Sequence, residues 1–460
     1  MFFRQVLYRD LGCASYIMGD AGEAIVVDPR WDIEPYLEIA EQEHLQIVHV
    51  LDTHEHADHV SGRIRLARAT GAQAHAPASS AGDAGSATGA IAAGDELSVG
   101  ALRVTALAAP GHRPEHLIFS VADLTRSPEP WILLTGDSLL VGDIARPDLA
   151  VEAVEGARAL HSSLGRMLEL SDHVEVWPAH IGGSLCGGAG LSGKTSSTIG
   201  FERRHNPLLG LAEPDFVHDL TATLPPRPPN IDRIVDLNRM ADGTPPPEPP
   251  RLDAEGLREA VASGAIVIDG RAPVQFDAGH VVGALNLPAA SPGMGTRAGW
   301  ALDPLDRLVI VAADQAAAHR TASALQAVGF WTLAGVAVAD LRAWERVGVP
   351  VAMSAAWDLS TLAAGLRRDE VDLIDVREPD EWTAGHIPGS QHMPLSRLRD
   401  SDSLALAGDG HTTAVSCAAG ARAAFAASLL RRGGRERVVR VEGGGVPDLP
   451  RFGLSLTTRD

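Results

Sequence analysis

The sequence predicts an α/β protein of more than one domain, and three features of the chain carry that expectation. Apolar runs of strand length alternate with stretches of helical periodicity along the whole chain. The segment Gly243-Thr244-Pro245-Pro246-Pro247-Glu248-Pro249-Pro250 can continue neither a helix nor a central strand, so it reads as a semi-rigid linker. After it, a set of residues repeats: Asp269-Gly270-Arg271, Gly279-His280, Gly283 and Pro288 recur as Asp375-Val376-Arg377, Gly385-His386, Gly389 and Pro394, a displacement of 106 from Asp269 to Asp375. At 460 residues the chain also exceeds what one hydrophobic core fills.

The elements follow in order. Ala24-Ile25-Val26-Val27-Asp28-Pro29 reads as a buried strand stopped by proline, and Pro35 to Glu43 has a helical apolar pattern. Leu102–Leu107 and Trp131–Asp137 are further strands, the second ending on an acid. In the repeat, Ala265-Ile266-Val267-Ile268 and Val371-Asp372-Leu373-Ile374 each precede an Asp-x-Arg, and alternating strand-like and helix-like stretches follow. Two small parallel-sheet α/β domains are expected from that alternation. The boundaries read as an N-terminal domain over 1–242, a linker over 243–251, and repeat domains over 252–353 and 354–460.

Composition narrows the function. Hydrophobic residues make up 45% and charged residues 21%, ordinary for a globular protein. A net charge of −20 argues against partners such as nucleic acid or an anionic membrane. No apolar run of about 18 residues occurs, and Met1-Phe2-Phe3-Arg4-Gln5 lacks a basic-then-apolar leader pattern, so a cytoplasmic protein is expected. Three scattered cysteines, Cys13, Cys186 and Cys417, are too few for a disulfide framework.

The densest chemistry lies in Thr53-His54-Glu55-His56-Ala57-Asp58-His59, directly after the apolar run Ile47–Leu51. Imidazoles and carboxylates crowded this closely are costly to desolvate without a cation, and the mixture suits Zn²⁺ or Fe(II). Further candidates close later strands: His112 in Pro110-Gly111-His112, Asp137 in Gly136-Asp137, and His180 in Trp177-Pro178-Ala179-His180. A dinuclear site would place His54, His56 and His112 on one metal and Asp58, His59 and His180 on the other, with Asp137 bridging. A mononuclear site would use two His and one carboxylate and leave positions open for water, substrate and O₂. Spacing does not choose between them.

The His-x-His-x-Asp-His stretch resembles the signature of the metallo-β-lactamase fold, and residues 1 to about 240 resemble its persulfide dioxygenase branch, related to glyoxalase II. The resemblance rests on Gly12-Cys13-Ala14-Ser15-Tyr16, Thr53–His59, Thr135-Gly136-Asp137-Ser138-Leu139-Leu140 running into Arg146-Pro147-Asp148-Leu149, Ser197–Arg204 and Asn206-Pro207. It implies an αββα sandwich holding one Fe(II) per chain through His54, His112 and Asp137, with His56, Asp58, His59 and His180 as outer groups that orient ligands or bind water. It also implies that Arg146 and Arg203 meet substrate carboxylates; a structural ion pair is the competing reading for each.

Near the C-terminus, Cys417-Ala418-Ala419-Gly420-Ala421-Arg422 stands between the apolar Ala414-Val415-Ser416 and the helical Ala423–Leu430. A cysteine in a tight loop at a helix N-terminus faces inward-pointing N–H groups, which favours an anion and lets the sulfur carry a persulfide. Residues 252–460 resemble two rhodanese domains, and the resemblance implies Cys417 and Arg422 as catalytic residues of the second. Two departures bear on substrate preference: the loop holds a single charged residue, and Gly443-Gly444-Gly445 is not followed by tryptophan. A shift of 106 from Cys417 lands on Val311, and no cysteine occurs in 252–353, so the first copy reads as a spacer or docking module. Cys186, in a glycine-rich loop just after His180, is expected near the metal with a substrate-handling role or simple packing, and Cys13 as a small buried hydrophobe.

Together these imply Fe(II)-dependent oxidation of a low-molecular-weight thiol persulfide, such as glutathione persulfide, by O₂ to sulfite and free thiol. The rhodanese part would deliver sulfane sulfur or join sulfite to a persulfide as thiosulfate, in a homodimer or homotetramer. A dinuclear zinc thioester hydrolase of glyoxalase II type is the alternative. A sulfur carrier whose metal site only senses or scaffolds is a second.

Overall fold

The structure, a computed structural model, describes residues 1–79, 89–182, 184, 186–188, 190–224, 226–240, 245–291, 293–398 and 411–458. The start of the expected linker, 243–244, and Gly183 and Leu185 of the Cys186 loop lie outside the described residues. The chain divides into two compact units: Met1–Arg227 with Ile231–Pro246 and Ala327–Gly329, and Pro228–Asn230 with Pro247–Gln326 and Phe330–Asp460.

The first unit contains two six-stranded sheets. One runs β1 (Phe2–Tyr8), β2 (Cys13–Asp20), β3 (Glu23–Val27), β4 (Gln46–Leu51), β5 (Gln73–Pro77), β6 (Gly89–Ile91) in spatial order. The other has β7 (Glu96–Val99), β8 (Leu102–Ala108), β9 (Leu117–Asp123) and β10 (Ile132–Gly136), then β13 (Glu175–Pro178) and β14 (Ser197–Thr198), while β11 (Leu139–Leu140) and β12 (Asp143–Ile144) form a hairpin of their own. Strand alternation explains why these runs read as continuously apolar. In β3, Ile25 and Val27 join the core between the sheets with Phe119 and Leu134, whereas Ala24 and Val26 pack with Tyr36 and Ala40 of the helix Glu34–Gln42. In β10, Leu134 faces the other sheet and Leu133 faces Leu160 and Leu164 of the helix Ala153–Met167. Helix, sheet, sheet and helix therefore form four layers, the αββα sandwich.

The second unit contains two five-stranded parallel sheets built on one plan. The first has β15 (Arg251–Leu252), β16 (Ile266–Asp269), β18 (Leu285–Asn286), β19 (Leu308–Ala312) and β20 (Leu333–Val338), with a separate pair from β17 (His280–Val281) and β21 (Val351–Ala352). The second has β22 (Ala355–Asp358), β23 (Val371–Asp375), β24 (Gln391–His392), β25 (Thr412–Ser416) and β26 (Val438–Glu442). The repeated residues do the same work in each. Arg271 and Arg377 grip Asp269 and Asp375 and donate to the carbonyls of Gly279 (2.7 Å) and Gly385 (2.8 Å). His280 stacks on Phe276 and His386 on Trp382, with ring centroids 3.8 and 3.7 Å apart.

The register corrects the expected equivalence of Cys417 and Val311. Asp375 pairs with Ser416 and Asp269 with Val311, so the residue matching Cys417 is Ala312, and the loop before the next helix is one residue shorter in the first copy. There Asp314 caps that helix, its carboxylate accepting from the Ala317 amide at 2.7 Å. A carboxylate thus satisfies the helix end whose counterpart faces a thiol in the second copy.

The helix Ala421–Arg432 is buried from Ala423 to Leu430 because it packs on its own sheet and also on β18 of the first copy. There the buried Asn286 amide donates to the Ser428 hydroxyl at 3.0 Å. Among the described residues no helix is long and apolar enough to cross a membrane. Replacing Ser428 with Ala should strand that buried amide and cost about 1–3 kcal/mol in denaturant unfolding. A loss below roughly 0.5 kcal/mol would mean the copies do not depend on this bond.

Candidate metal centre and sulfur-transfer loop

The metal motif leaves β4 as a buried turn, and buried acceptors fix its shape. Asp28, at the end of β3 with φ of 52°, accepts from the Thr53 amide (2.7 Å), the Thr53 hydroxyl and His56 Nε2 (3.1 Å). From the helix Ile231–Arg239, Asn238 donates to the carbonyls of His56 and His59, both at 2.9 Å, and accepts from the Ser61 amide. In the sequence, Asp28 shows only as an acid closing a buried strand. Nothing local marks Asn238, which is 179 residues from His59.

His54, His112 and Asp137 come together: each offers a ligand atom, and all lie within 4.8 Å of one another. His112 Nε2 is 3.4 Å and His54 Nε2 3.8 Å from Asp137 Oδ2. All three atoms are buried and have no hydrogen-bond partner. Their other atoms are engaged in a way that aims them. His112 Nδ1 donates to the Arg146 carbonyl at 2.8 Å, His54 Nδ1 lies 2.9 Å from the Thr53 hydroxyl, and Asp137 Oδ1 accepts from His180 Nδ1 at 2.5 Å. Burial holds His54 and His112 below the ordinary imidazole pKa, so both are neutral with a lone pair on Nε2. Burial alone would raise the Asp137 carboxyl, but His180 and then His112 outweigh it and keep the group ionised. Two neutral imidazoles and one carboxylate with three unpartnered buried atoms fit a divalent cation and little else.

His116, which the sequence reading passed over, supports this arrangement. It stacks on His54, with ring centroids 4.9 Å apart, and its Nε2 accepts from the Asp137 amide at 2.9 Å; burial brings its pKa down to about 4, consistent with that acceptor role. Gly136 explains the Gly-Asp pair. At φ of 50° its missing Cβ would sit 2.6 Å from His116 Nε2 and 2.8 Å from Thr53 Oγ1.

The remaining candidates form a second cluster, in which His56 Nδ1 and His59 Nε2 are also buried without a hydrogen-bond partner. His180 donates through Nδ1 to Asp137 and through Nε2 to Asp58 (2.9 Å), and Asp58 also accepts from His59 (3.0 Å). Burial opposes the charge on His180, yet Asp137 leads Asp58 in holding its pKa well above the ordinary value. Cys13 is buried as expected, but in polar company: its sulfur lies 3.1 Å from Asp58 and 3.4 Å from His180. A bridge between Cys13 and His180, 167 residues apart in sequence, brings it there. Cys186 is also buried, within 4.8 Å of Asp137 and His180, and burial followed by the Asp137 charge pushes its thiol well above the ordinary range. Arg146 grips Asp148 with two bonds of 2.7 Å, and Arg203 binds Asp172 and the carbonyls of Leu168 and Leu170. Arg146 therefore serves the site through its carbonyl, which sets the His112 tautomer.

In the second unit Cys417 lies buried after β25, its sulfur accepting from the Gly420 amide at 3.0 Å. Gly445 closes over it; a Cβ there would sit 1.8 Å from the Cys417 carbonyl. Arg422 binds Glu381 through both terminal nitrogens, one at 2.8 Å.

Residues 8–180 match the metallo-beta-lactamase superfamily and residues 358–446 the rhodanese-like domain. The chain joins a metallo-β-lactamase domain to a C-terminal rhodanese-like domain. The mitochondrial persulfide dioxygenase ETHE1 of Bos taurus is 28% identical over 247 residues, 50% of this chain and 85% of that protein. A hydroxyacylglutathione hydrolase of Gloeobacter violaceus is 33% identical over 162 residues, 35% of this chain and 59% of that protein. A metallo-beta-lactamase from Staphylococcus aureus has a crystal structure similar at a TM-score of 0.64 and 28% identity, covering 74% of this chain and 99% of that one. The metallo-β-lactamase domain thus has persulfide dioxygenase homologues alongside hydroxyacylglutathione hydrolases, and its fold implies a metal.

Replacing Gly136 with Ala should press on His116 and Thr53 and turn Asp137 away. The expected result is loss of bound metal and a stability cost of roughly 2 kcal/mol, read by elemental analysis and thermal unfolding. Full metal content in that variant would mean Asp137 is not held by this turn.

Proposed function

We propose that the first unit is an Fe(II)-dependent dioxygenase that converts a low-molecular-weight thiol persulfide, O₂ and water into the free thiol and sulfite, and that the second unit moves sulfane sulfur through Cys417. One observation carries the first half: three unpartnered ligand atoms, two neutral imidazole nitrogens and one carboxylate oxygen, meet in one buried place while His180 is committed to Asp137 and Asp58. A two-histidine, one-carboxylate set on one face suits Fe(II) and leaves coordination positions free. When bound there, the iron would supply a centre at which persulfide sulfur and O₂ are held side by side.

The protein groups have distinct parts in this reading. Thr53 and the Arg146 carbonyl keep His54 and His112 in the tautomer that offers Nε2. His180 orients the Asp137 carboxylate and balances its charge. The neutral Cys186 thiol, close to Asp137, would line the path of the persulfide. Glutathione, or another thiol carrying acidic groups, is the proposed carrier; Arg146 and Arg203, first expected to meet it, are paired with Asp148 and Asp172 and would have to give up those bonds to do so.

The hydrolase reading has support of its own in the His56, Asp58 and His59 group, where His56 Nδ1 and His59 Nε2 are buried without a partner, and in the hydroxyacylglutathione hydrolase relatives. It would need His180 to give up its bond to Asp58 and lend Nε2 to a second metal. A thioester hydrolase also has no evident use for an attached sulfur-transfer domain.

The test is O₂ uptake on preformed glutathione persulfide by protein purified without oxygen. Asp137→Ala should lose bound metal and oxygen uptake together, while His180→Gln should keep metal and lose roughly 10- to 100-fold in rate, as removal of an orienting group does. Equal loss of metal from both would favour two metals and the hydrolase. Cys417→Ser should abolish sulfur transfer from persulfide donors and leave oxygen uptake on free persulfide within about twofold, since it leaves the metal ligands untouched. Loss of both activities would place Cys417 in the oxidation itself.

A further inference from the structure

The second rhodanese-like copy carries a charged pair that the first lacks. Arg422 is the only charged residue from Cys417 to Arg422, and both of its terminal nitrogens rest on Glu381. Glu378 acts on the same guanidinium, and Asp380 lies in the same helical turn. Arg377, which also acts on Glu381, is spent on Asp375 and the Gly385 carbonyl. The repeat gives an internal comparison. The helices that start at Gln315 and Ala421 are offset by 106 residues, as are Asp269 and Asp375, so the first copy has Gln275 for Glu381 and Ala316 for Arg422. The ion pair is present in the copy that has the cysteine and missing from the copy that does not.

The pair decides what charge a donor meets. If Cys417 carries sulfur, its thiolate attacks the sulfane sulfur of the donor, a new S–S bond forms to Cys417, and the donor's S–S bond breaks with the electron pair leaving on the donor. A free guanidinium beside the thiolate would favour donors and acceptors with two negative charges, such as thiosulfate and sulfite. A guanidinium already neutralised leaves the Gly420 amide and its helix end, which suit a single charge. We propose that Glu381 sets the donor specificity of Cys417: by cancelling the charge of Arg422 it disfavours dianionic sulfur compounds relative to singly charged ones such as a persulfide anion. The proposal rests on the reading of Cys417 as the sulfur carrier. It acts through Arg422, so Glu381 is a positioning residue and needs no contact with the donor.

Thiosulfate and methanethiosulfonate test this because they share the sulfonyl-bound sulfane sulfur and differ by one charge, a methyl group replacing one oxyanion. Each gives its sulfur to Cys417, leaving sulfite or methanesulfinate, and cyanide then takes that sulfur as thiocyanate and frees the thiolate. The measurement is thiocyanate formation by the full-length protein. In Glu381→Gln and Glu381→Met, the ratio of kcat/KM for thiosulfate to that for methanethiosulfonate should rise on the order of tenfold, because a restored unit charge attracts a dianion twice as strongly as a monoanion. Glu381→Asp should keep the wild-type ratio, and adding Arg422→Gln to Glu381→Gln should bring the ratio back down. An unchanged or lowered ratio in the neutral variants overturns the proposal, and so does failure of both to fold, which would make Glu381 a structural residue. Thiocyanate formation that persists in Cys417→Ser would instead overturn the assignment of the carrier.

Discussion

The structure of the first unit depends on the two oxygens of Asp137 being used differently. One accepts a hydrogen bond from His180 and the other, buried without a partner, faces the unpartnered nitrogens of His54 and His112. Leaving three buried polar atoms empty-handed is expensive, so the fold tolerates them only if a cation repays the cost. Much of the surrounding sequence follows from holding this arrangement. Gly136 lets the chain turn where a side chain would collide, Thr53 and Arg146 select tautomers, and Asp28 and Asn238 pin the loop that carries His54.

How far this could be read from the sequence depends on how local each signal is. The strands announce themselves because both faces of β3 and β10 are buried, which makes the runs apolar throughout, and the stops at Pro29 and Asp137 mark where loops begin. His54, His112 and Asp137 were legible as candidates because each closes a strand, yet spacing left one metal or two open. The contact that bears on the choice joins residues 43 apart in sequence, the bond from His180 to Asp137. Cys13 and Asn238 were beyond sequence reasoning for the same cause. A cysteine on an apolar strand looks like packing until the fold brings His180 beside it, and an asparagine on an amphipathic helix looks like surface until it caps a distant loop.

The repeat shows the converse case, in which the sequence was legible and only the register needed the structure. The Asp-x-Arg and Gly-His pairs are clamps, and they recur because each copy must tie the same strand end to the same turn. The active loop does not recur. A loop one residue shorter and a helix capped by Asp314 replace the thiol, so the first copy keeps the scaffold without the chemistry. Removing a nucleophile from one copy frees its helix end to be capped internally, and the ion pair of Arg422 and Glu381 is absent along with it.

The central claim is that one metal sits among His54, His112 and Asp137 and that His180 stays outside its coordination sphere. Anomalous diffraction above and below the iron and zinc edges, from crystals of protein prepared without oxygen, tests this most directly. One iron peak is expected within about 2.2 Å of the three ligand atoms, with His180 Nε2 still on Asp58. Two zinc peaks bridged by Asp137, the second bound by His180 Nε2 and Asp58, would contradict it.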